Sequence, residues 1–310
     1  MSLKDLLGIE YPIFQGAMAR IATAALAGPV SEAGGLGIIG SGGLTGDQLR
    51  AEIKKVKEMT DKPFGVNLML MMHNIPELVD IIIEEGVKVV TTGAGNPAPY
   101  IDKLKAAGVK VIPVVPSVKL AKKMEAIGAD AIIAEGMESG GHVGETSTMS
   151  LVPQVVSAVN IPVLGAGGVG DGRGVVAMYA FGAVGIQAGT IFLTAEECPV
   201  PPSFKQAVLD ADDTATVVTG RKLGAPVRSI KNPMLAKYIE MENRNATRDE
   251  LEELTLGSLS KAVYEGDMEN GSVMAGQIAG MLHEIKPVKQ IITDLFDEAE
   301  EVLKNLTIVY

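Results

Sequence analysis

The stretch Glu135-Gly-Met-Glu138-Ser-Gly-Gly-His142-Val-Gly-Glu145 gathers three carboxylates around one of the chain's 3 histidines. Histidine titrates near neutrality and both donates and accepts protons, so His142 is the natural candidate for acid–base work. Gly140-Gly141 before it and Gly144 after it imply a flexible backbone that presents the imidazole to a ligand. A metal ligand or an ordinary exposed loop histidine are the alternative readings. His73 and His283 show no companion ligand spacing, so no metal site is expected.

Glycine motifs supply the second signal. Gly165-Ala-Gly167-Gly168-Val-Gly170 matches G-x-G-x-x-G, and so does Gly35-Leu-Gly37-Ile-Ile-Gly40. A dinucleotide fold also needs an Asp or Glu about 20 residues on to hold a ribose. None stands between Gly174 and Ala195, so that reading fails. The same glycines suit a phosphate held by backbone N–H groups, with Gly189-Thr190 as a second donor loop. Tight turns without a ligand are the alternative. Gln15, Asn67 and Gln187 stand at the ends of apolar runs, where an amide is awkward unless it hydrogen-bonds something. Three of them together favour a flat polar ligand.

Such residues need a scaffold that brings them to one face. Runs rich in Val and Ile occur at Tyr11–Gln15, Gly35–Gly40, Pro63–Leu68, Val87–Thr92, Val109–Val115, Ala129–Ala134, Ile161–Ala166 and Val184–Gly189. Their near-continuous apolar character is that of parallel strands covered on both faces. Helical periodicity fills the intervals, as in Thr45–Thr60, Pro76–Glu85, Pro97–Ala107 and Ser117–Ile127. Eight such units predict a (β/α)8 TIM barrel, whose chemistry sits at the strand C-termini, with phosphate loops after strands seven and eight. Pro199, Pro201 and Pro202 break the pattern. The barrel is therefore assigned to 1–198 and 271–310, and a small, mostly helical insertion to 199–270. An amphipathic helix from Val288 to Leu306 is expected to close the barrel.

Composition narrows the class. The chain has 310 residues, 47% hydrophobic and 21% charged, enough to bury a core. A net charge of -11 argues against nucleic acid or anionic membrane as a general partner. The single Cys198 makes no internal disulfide. Val175–Ala195 carries no charge, but glycines divide it, so it reads as a buried helix and strand rather than a membrane span. No signal peptide is evident, and a cytoplasmic location is expected. Between Thr214 and Ile239 there is no acidic residue, whereas Arg221, Lys222, Arg228, Lys231 and Lys237 all occur. That stretch is expected to steer an acidic partner, chiefly through Arg228 and Lys231, unless it is a plain solvated face or pairs with the acidic Glu240–Glu253 stretch.

With these residues on the page, a resemblance is evident. Glu135–Glu145, Thr148-Met149 and Leu151-Val-Pro-Gln-Val155 look like the FMN-dependent enoyl-acyl-carrier-protein reductase II family, a branch of the nitronate monooxygenase-like flavin barrels. Further matches span the chain: Gln15-Gly-Ala-Met-Ala19, Asp61-Lys-Pro-Phe-Gly-Val-Asn67, Gly93-Ala-Gly-Asn-Pro97, Ala166-Gly-Gly168, Ala188-Gly-Thr190, Met274-Ala-Gly-Gln277 and Glu284-Ile-Lys-Pro-Val-Lys289. The resemblance implies FMN across the strand C-termini. Gly16, Ala17, Met18 and Asn67 would meet the flavin, and Gly167, Gly168, Gly189 and Thr190 its phosphate. Glu135, Gly141, Ala166, Gln187 and Gln277 would complete the cofactor set, and His142 would be catalytic. It further implies NADH or NADPH as co-substrate, a monovalent cation as an open requirement, an acyl carrier protein bearing a 2-enoyl thioester as partner, and a homodimer. Nitronate monooxygenase activity and non-catalytic binding of a phosphorylated ligand are the alternatives. Two positions depart from the family pattern: Ala17 replaces a glycine, and Arg20 replaces a large aromatic.

Overall fold

The computed structural model describes residues 2–307. Its strands are, in chain order, β1 (Ile13–Gln15), β2 (Gly37–Gly40), β3 (Phe64–Met69), β4 (Val89–Gly93), β5 (Lys110–Val115), β6 (Ile132–Glu135), β7 (Gly141–His142), β8 (Val163–Ala166), β9 (Gly185–Ala188), β10 (Thr216–Thr219) and β11 (Val227–Ile230). Eight of them form one parallel sheet in the order β1-β9-β8-β6-β5-β4-β3-β2. The ring closes where Phe14 bridges Leu36, with the N–H of Gln15 donating to the Leu36 carbonyl at 3.0 Å. The (β/α)8 barrel is thus present, and each of the eight apolar runs contributes a strand.

Alternation along each strand explains the two-sided burial. Phe14, Ile38, Val89, Ile112, Ile133 and Leu164 fill the barrel interior, with Leu3 and Ile9 joining the same cluster from the N-terminal segment. Ile13, Ile132, Val163 and Ile186 point outward into the helical layer. Each such side chain contributes about 1.5–3 kcal/mol when fully buried. Thr45 caps the helix Gly46–Met59 through a reciprocal hydrogen-bonded box with Gln48. The apolar stretch after Gly174 is a helix, Gly172–Ala180, followed by β9, and no helix among the described residues is long and apolar enough to cross a membrane. The last helix, Val288–Asn305, buries Val288, Ile291, Ile292, Leu295 and Ala299, and packs beside Gly172–Ala180.

The segment between β9 and that helix is richer than its helical periodicity suggests. Besides Pro202–Leu209, Pro233–Asn243 and Arg248–Thr255 it holds an antiparallel hairpin, β10–β11. β11 then pairs with β7, opposing Val227 to His142 and Arg228 to Gly141. The short runs Thr216–Thr219 and Val227–Ile230 are only four residues each. Neither was separable by periodicity from a loop.

Candidate active site

The loop after β6 is the most constrained part of the strand C-terminal face. Glu138 accepts hydrogen bonds from the Thr148 N–H at 2.9 Å and from its hydroxyl at 2.8 Å. Thr148 opens the helix Thr148–Ala158, so the carboxylate complements that helix's positive end. Glu138 therefore shapes the loop rather than acting as a free acid. Glu145 is exposed. His142 is also exposed, and its imidazole has no hydrogen-bond partner among the described residues. Its backbone is not the flexible one that its glycine neighbours suggest, because β7 is the third strand of the insertion's sheet. The side chain is free on a fixed backbone, a suitable arrangement for a proton donor.

Arg228 is not a steering charge. Only 4% of it is exposed. Its Nε and Nη2 donate to the Met137 carbonyl at 3.2 and 3.0 Å, and Nη1 donates to Thr216 Oγ1 at 2.9 Å. Burial pulls its pKa down, with the Glu138 carboxylate opposing. The guanidinium ties the insertion to the loop that carries His142. Lys231 alone of the expected pair is exposed.

Glu135 ends β6 in register with Ala166. The residue keeps some accessible surface, yet burial of the carboxyl pushes its pKa up to about 7. Ser139 Oγ itself is buried and makes no hydrogen bond among the described residues. The sign of the linkage follows from a folded pKa above the ordinary 4.5. The unfolded chain loses this proton first, so stability is full below 4.5 and declines as pH rises towards 7. Glu135→Gln should therefore raise the Tm of the ligand-free protein more at about pH 8 than at about pH 5. Equal shifts at both pH values would show that the carboxyl ionises normally.

A group of unpaired backbone donors lies beside this loop. Gly167 and Gly168 have φ of 89° and 80°, which side chains with a Cβ rarely adopt. Among the described residues no acceptor meets the backbone N–H groups of Gly167, Gly168, Gly189 or Thr190. Thr190 Oγ1 accepts from the Gly276 N–H at 2.8 Å, which leaves the hydroxyl proton to donate. The neighbouring helix Gly172–Ala180 offers little, because Asp171 already accepts from its Arg173 and Gly174 N–H groups and Glu298 from Gly172. The donors belong to the two glycine loops. A donor-only set of this kind fits a phosphate.

The remaining sequence candidates divide between site and wall. A Cβ on Gly16 would touch Gln187 Cγ at 3.4 Å, and one on Gly189 would lie 3.7 Å from Met18 Sδ. The β1 and β9 loops thus meet. The Met18 carbonyl lies 3.1 Å from a Cβ position on Gly40, which pairs with Asn67. Asn67 spends its Nδ2 on Thr91 Oγ1 at 3.0 Å, and the Gln187 amide, in contrast, has no partner among the described residues. Gln15 is satisfied internally: it is fully buried, donates to the Gly16 carbonyl at 2.5 Å and accepts from the Ile38 N–H at 3.1 Å. It does not belong with the ligand-facing amides. Ala166 lies in the barrel wall, and its carbonyl accepts from Gly136. Gln277 is exposed and tied to the loop by its N–H, which donates to the Glu138 carbonyl at 2.9 Å.

Residues that sequence reasoning passed over hold these loops together. A Cβ on Gly140 would fall 2.6 Å from Ala275 C, and one on Gly276 2.7 Å from the Glu138 carbonyl oxygen. Close backbone approach of Gly140 to Gly276 locks the chain's return segment against the β6 loop. The structural role of Arg228 carried no signal, because its partner Met137 is 91 residues away in sequence.

Comparison with known proteins bears on this site. The sequence model of the nitronate monooxygenase family matches residues 1–78 and 73–298. FabK from Thermotoga maritima is 52% identical, with 98% of this chain and 97% of that one superposing at a TM-score of 0.95. A nitroalkane oxidase from Streptomyces ansochromogenes is 29% identical over 99% of this chain and 100% of its own, at a TM-score of 0.88. The (3aS,4S,5R,7aS)-5-hydroxy-7a-methyl-1-oxo-octahydro-1H-indene-4-carboxyl-CoA dehydrogenase of Mycobacterium tuberculosis is 36% identical, covering 96% of this chain and 95% of that relative.

Proposed function

The chain belongs to the nitronate monooxygenase family of oxidoreductases, and from that premise we propose that it is an FMN-dependent reductase of trans-2-enoyl thioesters carried by acyl carrier protein, using NADH or NADPH. The observation that carries this reading is the 52% identity to FabK over nearly the whole of both chains, against 29% to the nitroalkane oxidase. That difference supports the reductase side of the resemblance seen in the sequence.

The residues present fit FMN. The free N–H groups of Gly167, Gly168, Gly189 and Thr190 suit its phosphate. The Gln187 amide, beside Gly16, would meet its heterocycle, together with the Gly16–Met18 backbone and Asn67 on the neighbouring strands. When bound, FMN supplies hydride transfer from a reduced nicotinamide to an activated carbon.

The protein's own part is orientation and charge. Reduction adds a hydride at the β-carbon and a proton at the α-carbon, and negative charge develops on the thioester oxygen between the two events. His142 Nδ1–H or Nε2–H, held on β7, donates to that oxygen or delivers the proton. Arg228 and Glu138 keep the loop in place by the contacts described above. The glycine contacts of Gly140 with Gly276 close the side of the site towards the insertion.

Two measurements test the reading. Purified protein should be yellow and should release FMN on denaturation. FAD in stoichiometric amount would overturn the cofactor assignment, and colourless protein would favour the non-catalytic barrel. Under nitrogen, crotonyl thioester should drive oxidation of NADH or NADPH. Failure there, with consumption of a nitronate in air, would establish the monooxygenase reading, which the family model and the nitroalkane oxidase likeness both support.

A further inference from the structure

Arg20 departs from the pattern that the sequence resembles, and the site as described leaves it unused. It follows Met18-Ala19 in the loop after β1 and has a φ of 66°. For a residue with a Cβ that conformation costs on the order of 1–2 kcal/mol. Neighbouring hydrogen bonds hold it there: the Ile21 and Ala22 N–H groups donate to the Met18 carbonyl at 3.0 and 2.8 Å. The turn carries the exposed side chain across the rim of the barrel. Its guanidinium carbon lies 5.9 Å from the ring centre of Tyr264, on the π-turn Lys261–Glu265 of the insertion. Its Nη2 lies 3.9 Å from the Cβ position of Gly43, in the loop after β2.

A cation–π contact of this kind consumes none of the guanidinium's five N–H donors. In a chain of net charge -11, no carboxylate among the described residues pairs with this cation. Beside it, the N–H groups of Gly42 and Gly43 also lack acceptors among the described residues. A planar fork of donors next to successive free backbone N–H groups is complementary to a phosphate rather than to an acyl chain. Arg20 and the Gly42-Gly43 loop follow β1 and β2, so this donor set stands on the same C-terminal face as the candidate active site. It uses different loops from the Gly167 and Thr190 cradle.

We propose that Arg20, with the Gly42 and Gly43 N–H groups, binds the phosphate of a phosphopantetheine thioester at the mouth of the site. The identity of the ligand rests on the enoyl-thioester reading given above. The pantetheine arm carries its phosphate at the end remote from the thioester, so a phosphate at the rim leaves the reacting end to enter the barrel face.

The test compares two ligands that differ only by that phosphate. Calorimetric titration of the purified protein should show phosphopantetheine binding about tenfold more tightly than pantetheine, a modest yield for one charge-assisted contact at an exposed site. In Arg20→Gln, which carries the same backbone cost, the two affinities should converge. Arg20→Lys should retain part of the difference, since it keeps the charge but loses the fork. Equal affinities in the wild type overturn the proposal, and so does a preference that survives in Arg20→Gln. If Arg20→Gln instead raises KM for NADH or NADPH and leaves the thioester preference intact, the phosphate held there is the coenzyme's and the proposal fails. A wild-type protein that prefers phosphopantetheine but never reduces crotonyl thioester supports the anion site and counts against the reductase reading alone.

Discussion

Replacing His142 by Ala should lower the turnover of enoyl thioester by about 10²–10⁴-fold while the protein retains its flavin. The separation of the two effects follows from where the residue sits. β7 is held to β11 by backbone pairing, opposing His142 to Val227, so truncating the side chain removes no ladder hydrogen bond. The imidazole is exposed and supports nothing by packing, so Tm should move by no more than about 0.5 kcal/mol's equivalent. The donors assigned to the phosphate lie in other loops. A loss confined to kcat with flavin content unchanged is what a proton donor at the reacting centre produces. Turnover near the wild-type rate would remove His142 from the chemistry. Loss of flavin together with activity would reassign it to binding.

The sequence disclosed the barrel because the information is local. Eight apolar runs of strand length, separated by helical periodicity, are each readable within their own few residues, and the glycine loops at their C-terminal ends follow from the fold. His142 was singled out for the same reason, as a titratable side chain in the segment that follows a barrel strand. What failed depended on contacts distant in the chain. Arg228 reads as a surface charge in a basic stretch, yet its guanidinium reaches Met137, 91 residues away in sequence, and is buried. Gln15 reads as one of three ligand-facing amides, yet Ile38 satisfies it across the ring closure. The pairing of β11 with β7, which turns a glycine-rich loop into a fixed strand, joins residues of the insertion to the barrel. No window of neighbouring residues contains that information.

Gly168→Asp should abolish flavin retention without unfolding the protein. Room is not the obstacle: the nearest atoms to a Cβ at this position are Glu138 Cβ and Cγ, at 3.7 and 3.9 Å. Nor is backbone strain decisive. The φ of 80° is unfavourable for most side chains, but Asp and Asn visit the left-handed region more readily than others. The obstacle is charge. A carboxylate here would face the free N–H groups of Gly167, Gly168, Gly189 and Thr190 and take the place of the phosphate as their anion. If a phosphate charge still entered at about 4 Å, repulsion would cost about 4 kcal/mol at an effective dielectric constant of about 20, close to three powers of ten in affinity. Gly168→Asn separates the causes, because it has the same shape and a similar backbone cost but no charge. The Asn variant should purify with far more flavin than the Asp variant, and the two should unfold at similar temperatures when stripped of ligand. Equal flavin loss in both would mean that space or strain governs the position. Full flavin in the Asp variant would mean that the phosphate lies elsewhere, and the two glycine loops would then be turns without a ligand.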